Sequence, residues 1–146
     1  MANHITIRAV VYPFLPEHAE RIFSGKDIVV KYLPHPHVAY NKGAKLLIYI
    51  SHSAKNIVGE ATIQDIDFLP VEKLLKEYRN RLFLNEDELM KYSASQPGRV
   101  FTKPLLVLKI LNIRRFKKPI VLPFSPTMAG RYLSNEMYQQ IIRALA

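Results

Sequence analysis

A chain of 146 residues, 49% of them hydrophobic, can bury a sizeable core and is too apolar to stay disordered. It contains no cysteine, which excludes a disulfide framework, a thiolate nucleophile and a cysteine-ligated zinc site. Its formal charge is +9, and the excess is concentrated in one stretch. Between Glu88 and Glu136 the chain has no acid, yet it carries Lys91, Arg99, Lys103, Lys109, Arg114, Arg115, Lys117, Lys118 and Arg131. Elsewhere basic and acidic residues balance, so an anionic partner is the natural expectation. The first residues, MANHITIRAVVYPF, lack a positive run ahead of a long apolar core, and no secretory leader is expected. No apolar run approaches the ~20 residues of a membrane span. A cytoplasmic location and no membrane partner are the corresponding expectations.

In chain order, HITIRAVVY (4–12) alternates and then runs apolar, as an early strand does, with Pro13 and Pro16 ending it. Pro16, Glu17 and Glu20 suit the start of a helix whose apolar face is Ala19, Ile22 and Phe23. Gly25 is its stop, because glycine takes positive φ without strain. A strand, DIVVKYL, follows, with Ile28, Val30 and Tyr32 on one side and Val29, Lys31 and Leu33 on the other. Residues 34–43 form a loop, KLLIYIS (45–51) a strand buried on both faces, and 56–69 a longer strand in which Gly59 marks a bulge or a close backbone approach. PVEKLLKEYRNRL reads as a helix from Pro70, and Asn85 to Glu88 as a capping box for a second. A turn is expected at 96–99 and the strongest strand at 103–116, ended by Lys117, Lys118 and Pro119. PIVLPF suits a short edge strand, residues 125–132 a run of turns, and a last helix from about Ser134 buries Met137, Tyr138, Ile141, Ile142 and Leu145. The order is strand, helix, three strands, two helices, two strands, helix. That is an α+β chain forming one domain over 1–146, a mixed and strongly curved sheet of about five to six strands with flanking helices.

Several groups of residues invite chemistry. Ser24-Gly25-Lys26 lacks the upstream glycine and following hydroxyl of a phosphate loop and runs from helix to strand, so no nucleotide cofactor is expected. The same turn lets a nucleic-acid backbone approach Gly25 and places Lys26 against a phosphate. His35 and His37, with His18 and His52, do not converge on three or four ligands in any way the spacing fixes, so no metal site is expected. With Tyr32 and Tyr40 they are better suited to stacking on bases. Glu60 lies mid-strand among apolar residues, either outward-facing or an acid–base candidate that needs a partner. Arg114, Arg115, Lys117 and Lys118 cluster at a strand end, with Phe116 as its anchor, and Arg131 follows the small-residue turn Met128-Ala129-Gly130.

The helix HAERIFSGK running into a strand, KLLIYIS after a glycine-bearing loop, and IVGEATI beyond it resemble the ASCH side of the PUA-like superfamily. FLNEDELMKY and TMAGRYL resemble an archaeal family of uncharacterised PUA-like proteins. The resemblance spans about residues 14–134 and implies a PUA-like pseudo-barrel that binds RNA. Some ASCH proteins are amidohydrolases acting on an acetylated cytidine, with a turn written G-x-K-x-x-E/T-x-R. Set on Gly25, that register puts Asp27, Val30 and Tyr32 where Lys, Glu or Thr, and Arg stand in the pattern. The first expectation is therefore a non-enzymatic RNA-binding domain whose basic groove uses Lys26, Lys31, Tyr32, His35, His37, Arg114, Arg115, Lys117, Lys118 and Arg131. The alternatives are a hydrolase of modified nucleosides or RNA, with Lys26 and Glu60 converging in one pocket, and a basic protein-interaction module.

Overall fold

The structure is a computed structural model and describes residues 6–33, 35–51, 55–95, 104–122, 126–127 and 130–143. The expected turn at 96–99, His52, Met128, Ala129 and Leu145 lie outside them. The elements are β1 (Ile7–Phe14), α1 (Pro16–Phe23), β2 (Ile28–Lys31), β3 (Lys45–Ile50), β4 (Asn56–Leu69), α2 (Val71–Tyr78), α3 (Glu86–Ser95), β5 (Leu105–Val121), β6 (Arg131–Ser134) and α4 (Asn135–Arg143). The six strands form one mixed sheet in the order β2-β5-β4-β3-β1-β6. Among these six strands β1 and β3 are the pair that runs parallel. Parallel neighbours need a crossover, and here α1 and β2 provide it, with β2 at one edge of the sheet.

The sheet buries both faces. Val10, Tyr12, Phe14, Leu46, Ile48, Ala61 and Ile63 share the larger core with β2, α1, α2 and α3. On β1 and β3 the residues of opposite parity, Ala9, Val11, Leu47 and Tyr49, and on β4 Ile57, beyond the register shift at Gly59, pack with Phe116, Leu133 and Tyr138 beneath α4. Met137, Ile141 and Ile142 are half-buried against that second core. Among the described residues no helix is long and apolar enough to cross a membrane.

Long strands bend where the ladder slips. β4 has 14 residues and β5 has 17, and their register shifts at three places. At one of them Gly59 is the close approach its sequence position suggests. A Cβ there would stand 2.5 Å from the Arg114 carbonyl oxygen and 2.6 Å from the Phe23 ring. Gly25 ends α1 with φ +118°. The capping box ahead of α3 is formed reciprocally: the Glu88 amide donates to Asn85 Oδ1 at 2.8 Å, and the Asn85 amide donates to Glu88 Oε1 at 2.9 Å.

Four boundaries differ from the sequence-based expectation. β1 runs through Pro13 to Phe14, because β6 pairs only with Ile7 to Val11 and one edge of β1 is free at the proline. β5 likewise continues through Lys117, Lys118 and Pro119 to Val121, where β2 no longer flanks it, so PIVLPF does not start a separate strand. The sixth strand is instead β6, Arg131 to Ser134, where the end of a turn and the start of a helix are expected; Gly130 precedes it at φ +89°, and a Cβ there would stand 2.5 Å from the Tyr12 ring. Finally, α2 stops at Tyr78 because Arg81 and Phe83 bond to the free edge of β2: the Ile28 amide donates to the Arg81 carbonyl and the Phe83 amide to the Ile28 carbonyl.

Gly59→Ala is expected to destabilise the protein by about 1–3 kcal/mol, since the backbone of β5 must move to admit a methyl group. Urea unfolding checks this; an unchanged midpoint would show that the β4–β5 contact is not close.

Candidate functional site

The sheet curls until β2, at its edge, reaches the C-terminal end of β1. Where they meet, a cavity of about 300 Å³ opens. Its walls come from six segments: Pro13, Phe14 and Leu15 at the end of β1, His18 on α1, Val30 and Lys31 on β2, Ser51 after β3, Phe83 and Leu84 between α2 and α3, and Glu88 and Tyr92 on α3. Most of this lining is apolar. Single polar groups converge on it, which is the usual composition of a small-molecule site.

Lys31 is 4% exposed. Its Nζ donates to the Pro13 carbonyl at 2.6 Å and lies 4.2 Å from the centroid of the Phe14 ring and 5.5 Å from that of Tyr12. Among the described residues no carboxylate pairs with it. Carbonyl and rings favour the ammonium, but burial without a counter-ion outweighs them and pulls the amine from 10.5 down to about 7. Lys31 is therefore partly neutral near physiological pH.

Glu88 supplies the negative charge. Its carboxylate accepts from Arg21 Nη1 and from the Asn85 amide, and its Oε2 lies 3.4 Å from His18 Nε2. His18 and Arg21 are three residues apart on α1, so both reach α3 from one helix face. The Arg21 hydrogen bond, more than the opposing burial, holds Glu88 down at about 2. It is ionised at any working pH and is not a proton donor. Tyr92 accepts from the Tyr32 amide at 2.6 Å, tying α3 to β2, and burial pushes its phenol up to about 12. His18 meets the Phe83 ring edge-on at 5.7 Å.

Of the residues expected to form one basic groove, Lys31 is buried at the cavity, and the others are dispersed over several elements. Arg114 donates through Nε and Nη2 to Glu60 Oε2, at 3.0 and 2.7 Å, while Tyr138 on α4 donates to Oε1 at 2.6 Å. Buried Glu60 is thus the anchor of α4, and burial raises the Tyr138 phenol. Arg115 forms a two-point pair with Glu20 and stacks on Phe23. That pair lowers the Glu20 carboxyl and raises the Arg115 guanidinium. The acid-free segment therefore lies against acids from β4 and α1, and part of its charge is cancelled in space. Lys117 and Lys118 are exposed, with no carboxylate within ion-pair distance among the described residues. Arg131 is exposed at the start of β6. His35 and His37 are exposed on their loop and Tyr32 is half-buried. Tyr40 is buried, its hydroxyl 2.9 Å from that of Tyr12, and cannot stack on a base.

Lys26 and Glu60 do not converge. Lys26 Nζ donates to the Asn80 carbonyl at 2.8 Å and lines a groove with Arg21 and Arg79, whereas Glu60 is held by β5 and α4. Asp27, in the lysine position of the ASCH turn, makes a two-point ion pair with Arg81, which lowers its carboxyl. The groups that do converge, Lys31 with His18, Glu88 and Tyr92, come from three separate stretches of sequence. The one local signal is Lys31 itself, a lysine on a strand apolar on both parities.

The chain matches a family model described as "Domain of unknown function (DUF365)" over residues 7–135. The chain belongs to this family. A relative, the uncharacterized protein MJECS03 of Methanocaldococcus jannaschii, is 34% identical over 110 residues, covering 69% of this chain and 99% of its own. Among solved structures, ASCH from Zymomonas mobilis is 22% identical with a TM-score of 0.76, covering 93% of this chain and 94% of that one. The N-terminal domain of McrB from Staphylothermus marinus is 14% identical with a TM-score of 0.64, covering 97% and 98%. The fold is thus the ASCH, PUA-like pseudo-barrel that the sequence motifs imply.

Lys31→Met is expected to change how stability depends on pH. Folded Lys31 releases its proton near 7, while the unfolded chain holds it to about 10.5. Between these values the unfolded state binds more protons, so raising the pH favours folding, by at most ~1.4 kcal/mol per pH unit. Urea unfolding of both proteins from pH 6 to 10 should show wild type gaining on the variant above pH 7 and a constant difference below it. Parallel curves throughout would mean that Lys31 titrates normally.

Proposed function

We propose that this chain binds RNA and holds one unpaired base in the cavity at Lys31. The observation that carries the reading is the cavity itself, large enough for a single flat ring, walled by Phe14, Phe83 and Tyr92, and furnished with a donor in Lys31 and an acceptor in Glu88. Glu88 Oε2 faces only the His18 imidazole among the described residues and keeps acceptor capacity for an amino group. The ASCH, PUA-like fold and the +9 charge support the same reading. In it, exposed Lys117 and Lys118, with Lys26 and Arg79, supply attraction for phosphates without reading sequence. An unpaired base is favoured because a stacked, paired one cannot enter a cavity behind the surface.

Fluorescence anisotropy with single-stranded and duplex RNA of one sequence tests this. Single-stranded RNA should bind more tightly, and affinity should fall steeply with salt. Lys117→Glu with Lys118→Glu should weaken both RNAs and flatten the salt slope. Lys31→Met should weaken only the single strand, by about tenfold. Equal affinity for both forms, unchanged in Lys31→Met, would remove the cavity from the account.

A second reading, hydrolysis of a modified nucleoside in the same cavity, is favoured by one observation, the burial of the Lys31 amine in the cavity lining with no carboxylate partner among the described residues, which lowers its proton affinity. It assigns Lys31, not Lys26 with Glu60, as the base. It predicts turnover of an N-acylated nucleoside that rises through pH 7 and is absent in Lys31→Met, read by chromatography of the products.

A further inference from the structure

We propose that Lys31 is a nucleophilic amine that forms an imine with a small planar aldehyde seated in the cavity. The inference shares its cavity with the RNA-binding reading but does not need nucleic acid. Three features of the geometry lead to it. The amine is fixed: a hydrogen bond to the Pro13 carbonyl and the Phe14 ring hold Nζ between two residues that, with Lys31 itself, line the cavity. No acid neutralises it among the described residues, and the titratable groups facing the cavity are His18 from α1 and Glu88 and Tyr92 from α3, with Tyr12 of β1 beneath the amine. Glu88, the one carboxylate in the lining, is engaged by Arg21 and His18 and does not hold Lys31 as an ammonium. Finally, the aromatic walls accept a flat ring whose carbonyl carbon can point at Nζ.

In the reaction the Nζ lone pair attacks the carbonyl carbon and the C=O π pair moves to oxygen, which takes a proton from nitrogen to give a carbinolamine. The C–O bond then breaks, a second nitrogen proton leaves with the oxygen as water, and a C=N bond remains. No electrons are exchanged with any other species, and hydrolysis reverses the step. Desolvated lysines in apolar pockets are suited to this chemistry because the uncharged form is the nucleophile. With a midpoint of about 7, roughly half of Lys31 is neutral at pH 7, against fewer than ~1 in 1,000 for a surface lysine.

The test treats the folded protein at pH 7 with pyridine-4-carbaldehyde and sodium cyanoborohydride, which reduces the imine to a stable amine, and maps the adduct by peptide mass spectrometry. Lys31 should be labelled at least about tenfold faster than Lys117 or Lys118, despite being buried. Labelling of the surface lysines with Lys31 untouched would overturn the proposal in the wild-type protein, whatever the folding of any variant. Lys31→Arg, checked by circular dichroism, should lose this fast adduct and keep the slow ones. Repeating the labelling with saturating single-stranded RNA separates the two readings. Protection of Lys31 supports both. Fast labelling that RNA does not slow keeps the imine chemistry and removes the base site. An inert Lys31 in a protein whose RNA affinity depends on it removes the imine chemistry and keeps the base site.

Discussion

The bond from Lys31 Nζ to the Pro13 carbonyl closes this fold. In the order of the sheet, β2 and β1 are separated by β5, β4 and β3, and no ladder joins them. They meet because the sheet curls, and where they meet the contact is a side chain donating to a backbone carbonyl at 2.6 Å. A lysine can span such a seam because its four-methylene stem is apolar enough to be buried while the amine, over the Phe14 and Tyr12 rings, reaches the acceptor. The cost is a buried amine with no counter-ion among the described residues, and that cost appears as a proton held far less tightly than usual. The seam also cannot be packed solid, since side chains from α1, the α2–α3 link and α3 fill it only in part. Closure, cavity and perturbed lysine are therefore three aspects of one constraint.

Around the seam the other elements hold the cavity open. The Arg21–Glu88 pair joins α1 to α3, the Tyr92 hydroxyl joins α3 to the end of β2, and the Arg81 to Phe83 segment covers the free edge of β2. On the opposite side of the sheet, Glu60 fixes α4 through Tyr138 and β5 through Arg114. A carboxylate buried mid-strand thus has a structural task away from the cavity. The divided labour matters for function, because it leaves Lys31 and Glu88 on the lining of the cavity while Glu60 is held elsewhere.

Much of the fold was legible because its signals are local. Gly25 marks the end of α1, Asn85 and Glu88 cap α3, and Gly59 marks the tight passage between β4 and β5. The motifs around HAERIFSGK and IVGEATI pointed to the right fold, as the solved structures show. What was not legible depends on neighbours that are distant in sequence. Pro13 and Pro119 read as strand ends, yet each lies on a strand edge that happens to be free. Arg131 and Tyr132 read as turn and Ser134 as the start of a helix, because a four-residue strand is defined by its pairing with β1. The acid-free segment read as one basic surface, but Arg114 and Arg115 find acids on β4 and α1. Of the candidate site, Lys31 was named as a binding residue, but its convergence with His18, Glu88 and Tyr92 was missed for the same reason. Its polar groups come from β2, α1 and α3, and no spacing in the sequence relates Lys31 to Glu88 or His18.

Closure, cavity and reactivity all depend on Lys31 being buried at the closure of the barrel with no carboxylate partner among the described residues. Nuclear magnetic resonance titration of the folded protein, labelled with carbon-13 at the lysine side chains and assigned by Lys31→Arg, reads that state directly. A Lys31 midpoint near 7 is the expected result. A midpoint at the ordinary lysine value of about 10.4 would contradict the account, because it would mean that the amine is solvated or paired and that the cavity is not the site described.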